Sequence, residues 1–182
     1  MTSRAVFLDR DGTLNRPSWQ GGRPFPPIRL EDFELLPGVV AAAQALHAAG
    51  FKLIVATNQP DVATGKQSRT IIEAMHARLR AWLPLADIEA CFCVEGEDCE
   101  CYKPKPGMLQ AAAYRHSIDL RASFMVGDRW RDVGAGHAAG CRTILIGDGY
   151  GEPMPVAPDH VVASLADAVP IILSTPSPET AQ

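Results

Sequence analysis

Two aspartates one residue apart, Asp9 and Asp11 in the stretch FLDRDGTLN, follow directly on an apolar run. Three other places carry residues of complementary type. Thr57 and Asn58 close the run FKLIVATN, Lys103 stands just before a helix-like segment, and Asp128 and Asp132 follow FMVG. Each alone reads as a turn or surface group. Taken together at the ends of successive apolar runs, they describe one site. Asp9, Asp11 and Asp128 are costly neighbours unless a cation separates them, because like carboxylates raise one another's pKa. Mg²⁺ is a hard ion that prefers oxygen ligands and suits a phosphate substrate. Thr57 and Asn58 would then offer neutral donors, and Lys103 a positive charge, to phosphoryl oxygens.

The elements that must position these residues follow from hydrophobic pattern. Short β-like runs alternate with helix-like segments, the pattern of a parallel sheet covered by helices. AVFLD is the first strand. GVVAAAQALHAAG, residues 38 to 50, starts after Pro37 and ends in a glycine, as a capped helix does. FKLIVATN is a buried strand. Ile72, Met75, Leu79 and Leu83 recur at helical intervals over residues 68 to 83, with Ser68 as the expected N-cap. A strand near 88 to 94, a helix in GMLQAAAYRHS, strands ASFMVGD and CRTILIG separated by the helix WRDVGAGHAAG, and a last strand HVVA with a helix from Ser164 complete the reading. In such a sheet, functional residues gather beyond the carboxyl ends of the strands, where all four places fall.

FLDRDGTLN, VATNQ, KPKPGML and VGDRWRDV resemble, in order, the four motifs of the haloacid dehalogenase (HAD) superfamily of phosphatases. The likeness runs from Phe7 to Asp132 and continues into AGHAAGCRTILI. It implies an α/β, three-layer Rossmann-like HAD fold with a central parallel sheet. It also implies that Asp9 is the nucleophile that attacks phosphorus, and that Asp11 protonates the leaving oxygen and later activates water. Mg²⁺ would sit on Asp9, the main-chain carbonyl of Asp11, and Asp128. Thr57 and Lys103 would hold the transferred group, with Asp132 bracing Lys103 or the metal's surroundings. Only about twenty residues separate Asn15 from Pro37 and no long insert follows Thr57, so no large cap domain is expected. The substrate pocket must then come from short loops, with Trp19 and Phe25 as candidate rim contacts.

A second constellation is CFCVEGEDCEC, in which Cys91, Cys93, Cys99 and Cys101 form a C-x-C-x5-C-x-C array. Residues two apart in an extended segment point the same way, so each pair can present two thiolates to one tetrahedral Zn²⁺. The competing reading is two local C-x-C disulfides. The loop resembles the zinc loop of the D,D-heptose bisphosphate and histidinol phosphate phosphatases, which usually has histidine where this chain has Cys93. Four protein ligands leave no open position, so the ion would be structural. Those families usually carry Arg-Lys after the last zinc cysteine, but here the pair is Tyr102 and Lys103. Arg129, Lys105, Arg16 or Arg23 are the candidates to supply the missing positive charge. Arg129 follows the metal aspartate, where the heptose enzymes carry a basic residue, and such charge suits a second phosphate and repels the cationic amino alcohol of histidinol phosphate. The resemblance therefore favours D-glycero-D-manno-heptose 1,7-bisphosphate, cleaved at position 7, over histidinol phosphate or another small phosphate ester. A catalytically silent protein that uses the zinc loop for binding is the reading from another class.

Composition bounds the rest. The 182 residues suffice for one domain with a full core, expected over 1–173, with 174–182 as a disordered tail. A net charge of −4 and 47% hydrophobic content give no global attraction to nucleic acid. No apolar run reaches the roughly 18 residues a bilayer span needs, and the first residues lack a signal-peptide core. The expectation is a cytoplasmic monomer, with no nucleic-acid or membrane partner, acting on a small phosphorylated molecule. In that reducing setting Cys141 reads as a core residue; His47 and His76, within helices, read as surface or internally satisfied groups, and nothing in the spacing of His137, near the fourth motif, makes it catalytic.

Overall fold

The computed structural model describes residues 2–176. The chain begins with β1 (Ala5–Leu8), every residue of which is buried. A two-stranded antiparallel hairpin follows, β2 (Ser18–Gln20) and β3 (Arg23–Phe25). The order then runs α1 (Val39–Ala48), β4 (Lys52–Asn58), α2 (Arg69–Trp82), β5 (Leu85–Cys91), α3 (Gly107–His116), β6 (Phe124–Gly127), α4 (Trp130–Ala139), β7 (Arg142–Ile146), β8 (His160–Val162) and α5 (Leu165–Ser174). Six strands form one parallel sheet in the order β5-β4-β1-β6-β7-β8.

Alternation of side chains builds two cores, one on each face. Val6 and Leu8 of β1, Leu53 and Val55 of β4, and Phe124 and Val126 of β6 face α1, α2 and α5. Their neighbours Phe7, Ile54 and Met125 point to the other face, against Met108, Leu109 and Ala112 of α3. Because both faces are covered, the central strands read as unbroken apolar runs. Between β1 and α1 lie the hairpin and a single 3-10 turn at Leu30–Asp32, and among the described residues no large cap covers the sheet.

Three expectations need correction. The strand placed near 88 to 94 runs from Leu85 to Cys91, because the pairing partner β4 sets its register and the cysteine loop begins where that partner ends. Ser68 stands at the N-cap of α2 but its hydroxyl makes no capping bond; its own N–H donates to Gln67 Oε1 (2.8 Å) instead. Ser164 does cap α5, accepting from the Asp167 N–H. Helix α5 extends through Ser174, and the rest of the expected tail, from residue 177, lies outside the described residues. Among the described residues, no helix is long and apolar enough to cross a membrane.

Strand order fixes where a ligand can enter. From β1 the chain builds outward through β4 to β5, then crosses back to β6 on the other side of β1 and continues to β8. Beyond the carboxyl ends of β1 and β6 the connections leave in opposite directions and a crevice opens, the usual binding place in an open α/β sheet.

Candidate active site

The crevice is a cleft of about 160 Å³ whose lining includes Asp9, Asp11, Thr57, Asn58, Lys103, Asp128, Arg129 and Asp132. Asp9 and Asp128 are delivered side by side because β1 and β6 pair in parallel and each residue directly follows its strand. Lys103 enters from the loop before α3 and is buried. Its Nζ donates to Asp9 Oδ1 (2.7 Å), Asp132 Oδ1 (2.5 Å) and the Ala56 carbonyl (2.7 Å). Asp132 also accepts from the Arg129 N–H (3.0 Å), so it both braces Lys103 and fastens the start of α4. Gly127 makes this possible: a Cβ there would stand 2.2 Å from the Asp132 Cγ.

Negative charge is in excess. Carboxylate oxygens of Asp9, Asp128 and Asp132 lie within 4.8 Å of one another, against the one ammonium of Lys103. Burial pushes the Asp9 carboxyl up to about 6, tempered by Lys103. Burial and then the charges of Asp9 and Asp132 push Asp128 well above the ordinary carboxylate range. Asp128 Oδ2 accepts from the Tyr150 hydroxyl (2.5 Å), while Oδ1 is buried without a hydrogen-bond partner among the described residues. A buried carboxylate oxygen without a donor, beside two further carboxylates, fits a hard cation.

Asp11 does not join that cluster. Fully buried Arg10 donates through Nε and Nη2 to Asp11 (2.8–3.1 Å), Asn15 Nδ2 donates to Oδ1 (3.0 Å), and Gln59 Nε2 donates to Oδ2 (2.9 Å). Burial would raise this carboxyl, but Arg10, with Asn15 and Gln59, holds it below its ordinary range. Asp11 therefore rests ionised at the edge of the cleft. Arg10 Nη1 also lies 3.3 Å from His76 Nε2. Burial, then the Arg10 charge, push His76 down to about 4, so it stays a neutral partner as expected for a satisfied histidine.

The remaining sequence candidates divide. Thr57 is buried at the cleft, its Oγ1 accepting from Gln59 Nε2 (2.9 Å). Asn58 lines the cleft with its amide partly committed to the backbone of Lys103, donating one N–H to the carbonyl (3.1 Å) and accepting from the N–H (3.0 Å), which leaves its second N–H for a ligand. Lys105 is corrected. Its Nζ donates to the Cys99 carbonyl (2.8 Å) and Glu100, away from the cleft. Arg129 does line the cleft, yet its guanidinium is already paired with Glu152. Arg16 pairs with Glu34 (3.4 Å), also away from the cleft, and Arg23 sits exposed on the hairpin. Phe25 and Tyr102 line the cleft, whereas Trp19 packs edge-on against Tyr150 with centroids 5.9 Å apart. Arg10, Gln59, Glu152 and Tyr150 went unassigned in the sequence. Arg10 and Gln59 lie inside the recognised motifs, but Tyr150 and Glu152 follow β7 with no local signal.

The four loop cysteines converge, with all Sγ atoms within 4.8 Å of one another. Cys91 and Cys101 are bonded to each other, and Cys93 and Cys99 are free. The bond thus crosses the loop and is neither of the C-x-C bridges weighed from sequence. Cys101 Sγ stands 3.7 Å from Cys93 and 3.9 Å from Cys99. Zn–S bonds of about 2.3 Å put tetrahedral sulfurs roughly 3.8 Å apart, so the donor set fits zinc once all four are thiolates. Cys141 is buried as expected.

A family model described as HAD-hydrolase-like matches residues 100–168. The chain is 39% identical over 154 residues to the D-glycero-beta-D-manno-heptose-1,7-bisphosphate 7-phosphatase of Pseudomonas putida, covering 82% of this chain and 85% of that protein. Its counterpart in Escherichia coli K12 is 35% identical, covering 90% of each chain. Among solved structures, the D,D-heptose 1,7-bisphosphate phosphatase of B. bronchiseptica, complexed with magnesium and phosphate, superposes with a TM-score of 0.81 at 29% identity, over 93% of this chain and 98% of the other.

Proposed function

We propose a reaction for this chain from one premise: it belongs to the heptose-1,7-bisphosphate 7-phosphatase family of HAD-like hydrolases. It is a phosphoric monoester hydrolase, and its substrate is D-glycero-D-manno-heptose 1,7-bisphosphate, cleaved at position 7 through an aspartyl-phosphate. The observation that carries this reading is the cluster of Asp9, Asp128 and Asp132 around Lys103 at the meeting of β1 and β6.

Asp9, the Asp11 carbonyl and Asp128 would hold Mg²⁺, which when bound neutralises charge on the phosphoryl oxygens. Lys103 fixes the orientation of Asp9, which attacks phosphorus as the ester P–O bond breaks. Asp11 gives its proton to the departing sugar oxygen, then takes one from the water that attacks the aspartyl-phosphate, releasing phosphate and restoring Asp9. Before substrate binds, Arg10, Asn15 and Gln59 keep Asp11 ionised. A phosphate ester entering beside it raises its proton affinity, since a like charge disfavours the carboxylate, and Asp11 takes up from solvent the proton it then gives to the leaving oxygen. Thr57 Oγ1 accepts from Gln59, which leaves its own O–H to donate to a phosphoryl oxygen at the cleft.

The second phosphate of the substrate draws on Arg129, displacing Glu152 from its guanidinium. Cys91, Cys93, Cys99 and Cys101 would hold a structural Zn²⁺ in the reduced protein, shaping the loop that carries Tyr102 and Lys103. That state suits a reducing cytoplasm. The unit over 1–173 acts as one phosphatase domain and as a monomer. The test is kcat/KM for heptose bisphosphate against histidinol phosphate with Mg²⁺ present, repeated with Arg129→Ala. We expect preference for the bisphosphate, reduced in the variant. Preference for histidinol phosphate by more than about tenfold, roughly 1.4 kcal/mol of transition-state binding, overturns the substrate assignment.

A further inference from the structure

Asp128 has two oxygens with opposite fates. Oδ2 is held by the Tyr150 hydroxyl at 2.5 Å, and Oδ1 is buried with no partner among the described residues, beside Asp9. Tyr150 reaches this position from a short turn after β7, with a positive φ of 58° that a tyrosine seldom adopts. Three features hold it there. The Asp148 carboxylate accepts from the Tyr150 N–H (2.9 Å) and closes the turn. Trp19, on the hairpin, meets the phenol ring edge-on, and the Arg129 guanidinium lies 5.7 Å from its centroid. Gly12 leaves the space: a Cβ at that residue would stand 1.8 Å from Asp128 Oδ2 and 2.9 Å from the Tyr150 hydroxyl oxygen. Backbone strain, a cap, a ring contact and a missing Cβ all serve one hydrogen bond.

We propose that Tyr150 is a positioning residue: by holding Asp128 Oδ2 it presents Oδ1 to the divalent cation and sets how tightly the site takes Mg²⁺. Without the hydroxyl, the carboxylate is free to rotate about its own bond, and ordering it again on binding costs affinity. Groups that orient a metal ligand from outside typically contribute 10–100-fold in affinity. The hairpin takes part through Trp19, so a loop facing the substrate also steadies the cation site. This inference rests on the reading of the aspartate cluster as a Mg²⁺ site.

The test is calorimetric titration of the purified, zinc-replete protein with Mg²⁺ alone, without substrate, comparing wild type with Tyr150→Phe, which keeps the ring and removes the hydroxyl. We expect Mg²⁺ affinity weaker by about tenfold or more, with the thermal midpoint in the absence of Mg²⁺ close to wild type. An affinity within twofold of wild type overturns the inference, as does a lowered midpoint with unchanged affinity, which marks a purely structural residue. Should Tyr150→Phe not fold, Trp19→Ala decides by the same titration, because it frees the ring: weaker binding supports the inference and unchanged binding overturns it. A wild-type protein that binds no Mg²⁺ overturns the cation reading, and the inference with it. Wild-type binding with no loss in the variants removes only the inference.

Discussion

Replacing Lys103 with methionine removes the one cation among three buried carboxylates while nearly keeping the side chain's volume. Nζ now satisfies Asp9, Asp132 and the Ala56 carbonyl, all in the interior. Deleting one member of a buried ion pair costs about 3–5 kcal/mol, because the surviving charge is left without a partner. Two carboxylates share this lysine, so the upper part of that range is expected at pH 7 without Mg²⁺. That is a large share of the roughly 5–15 kcal/mol that holds such a domain together. The penalty has a definite pH dependence. With its folded pKa raised to about 6 from 3.8, Asp9 favours the fold most below about pH 4, a contribution lost as pH rises through 6. Removing Lys103 raises that carboxyl further, so protons replace the lost ammonium as pH falls, and the penalty shrinks between pH 7 and pH 5. Urea unfolding of both proteins at the two pH values, with and without Mg²⁺, measures this. Added Mg²⁺ should recover part of the loss at pH 7. A penalty below about 1 kcal/mol at pH 7, or one that grows towards pH 5, refutes the charge argument.

Two other outcomes follow from neighbouring groups. His76 is depressed to about 4 from 6.5, so its contribution is whole above pH 6.5 and is lost as pH falls towards 4, on the order of 3 kcal/mol. In His76→Gln the stability difference from wild type should therefore change across that window in urea titrations, and a constant difference contradicts the neutral histidine. Cys99→Ser should lower zinc content from about one per chain and raise KM while far-ultraviolet circular dichroism stays native, because the sheet has cores of its own. Elemental analysis of reduced wild-type protein that finds no zinc removes the four-thiolate site.

How much of this was legible beforehand depends on where each signal resides. The strand ends were readable because a central parallel strand is apolar throughout and a carboxylate breaks the run at once, as Asp9 does after Leu8 and Asp128 after Gly127. The hairpin β2–β3 was missed although Gly21-Gly22 is a two-residue turn signal, since strands of three residues carry almost no alternation. Residue type identified Asn58, Lys105 and Arg129 as candidates, but their partners decide their use. Asn58 is tied to the Lys103 backbone, Lys105 to the cysteine loop, and Arg129 to Glu152, none adjacent to it in sequence. Tyr150 was invisible for the same reason: its partner Asp128 is 22 residues earlier.

The central claim is that Asp9 takes the phosphoryl group. Its most direct measurement uses Asp11→Asn, which retains the proposed nucleophile but lacks the group proposed to protonate the leaving oxygen and to activate water. The variant is mixed with D-glycero-D-manno-heptose 1,7-bisphosphate and Mg²⁺, quenched in acid within a turnover, digested and analysed by mass spectrometry. The account predicts one added phosphoryl group on the peptide containing Asp9, labile to hydroxylamine and absent when Asp9 is also changed to Asn. Phosphate release without any such adduct at the earliest times, or continued turnover by Asp9→Asn, contradicts it.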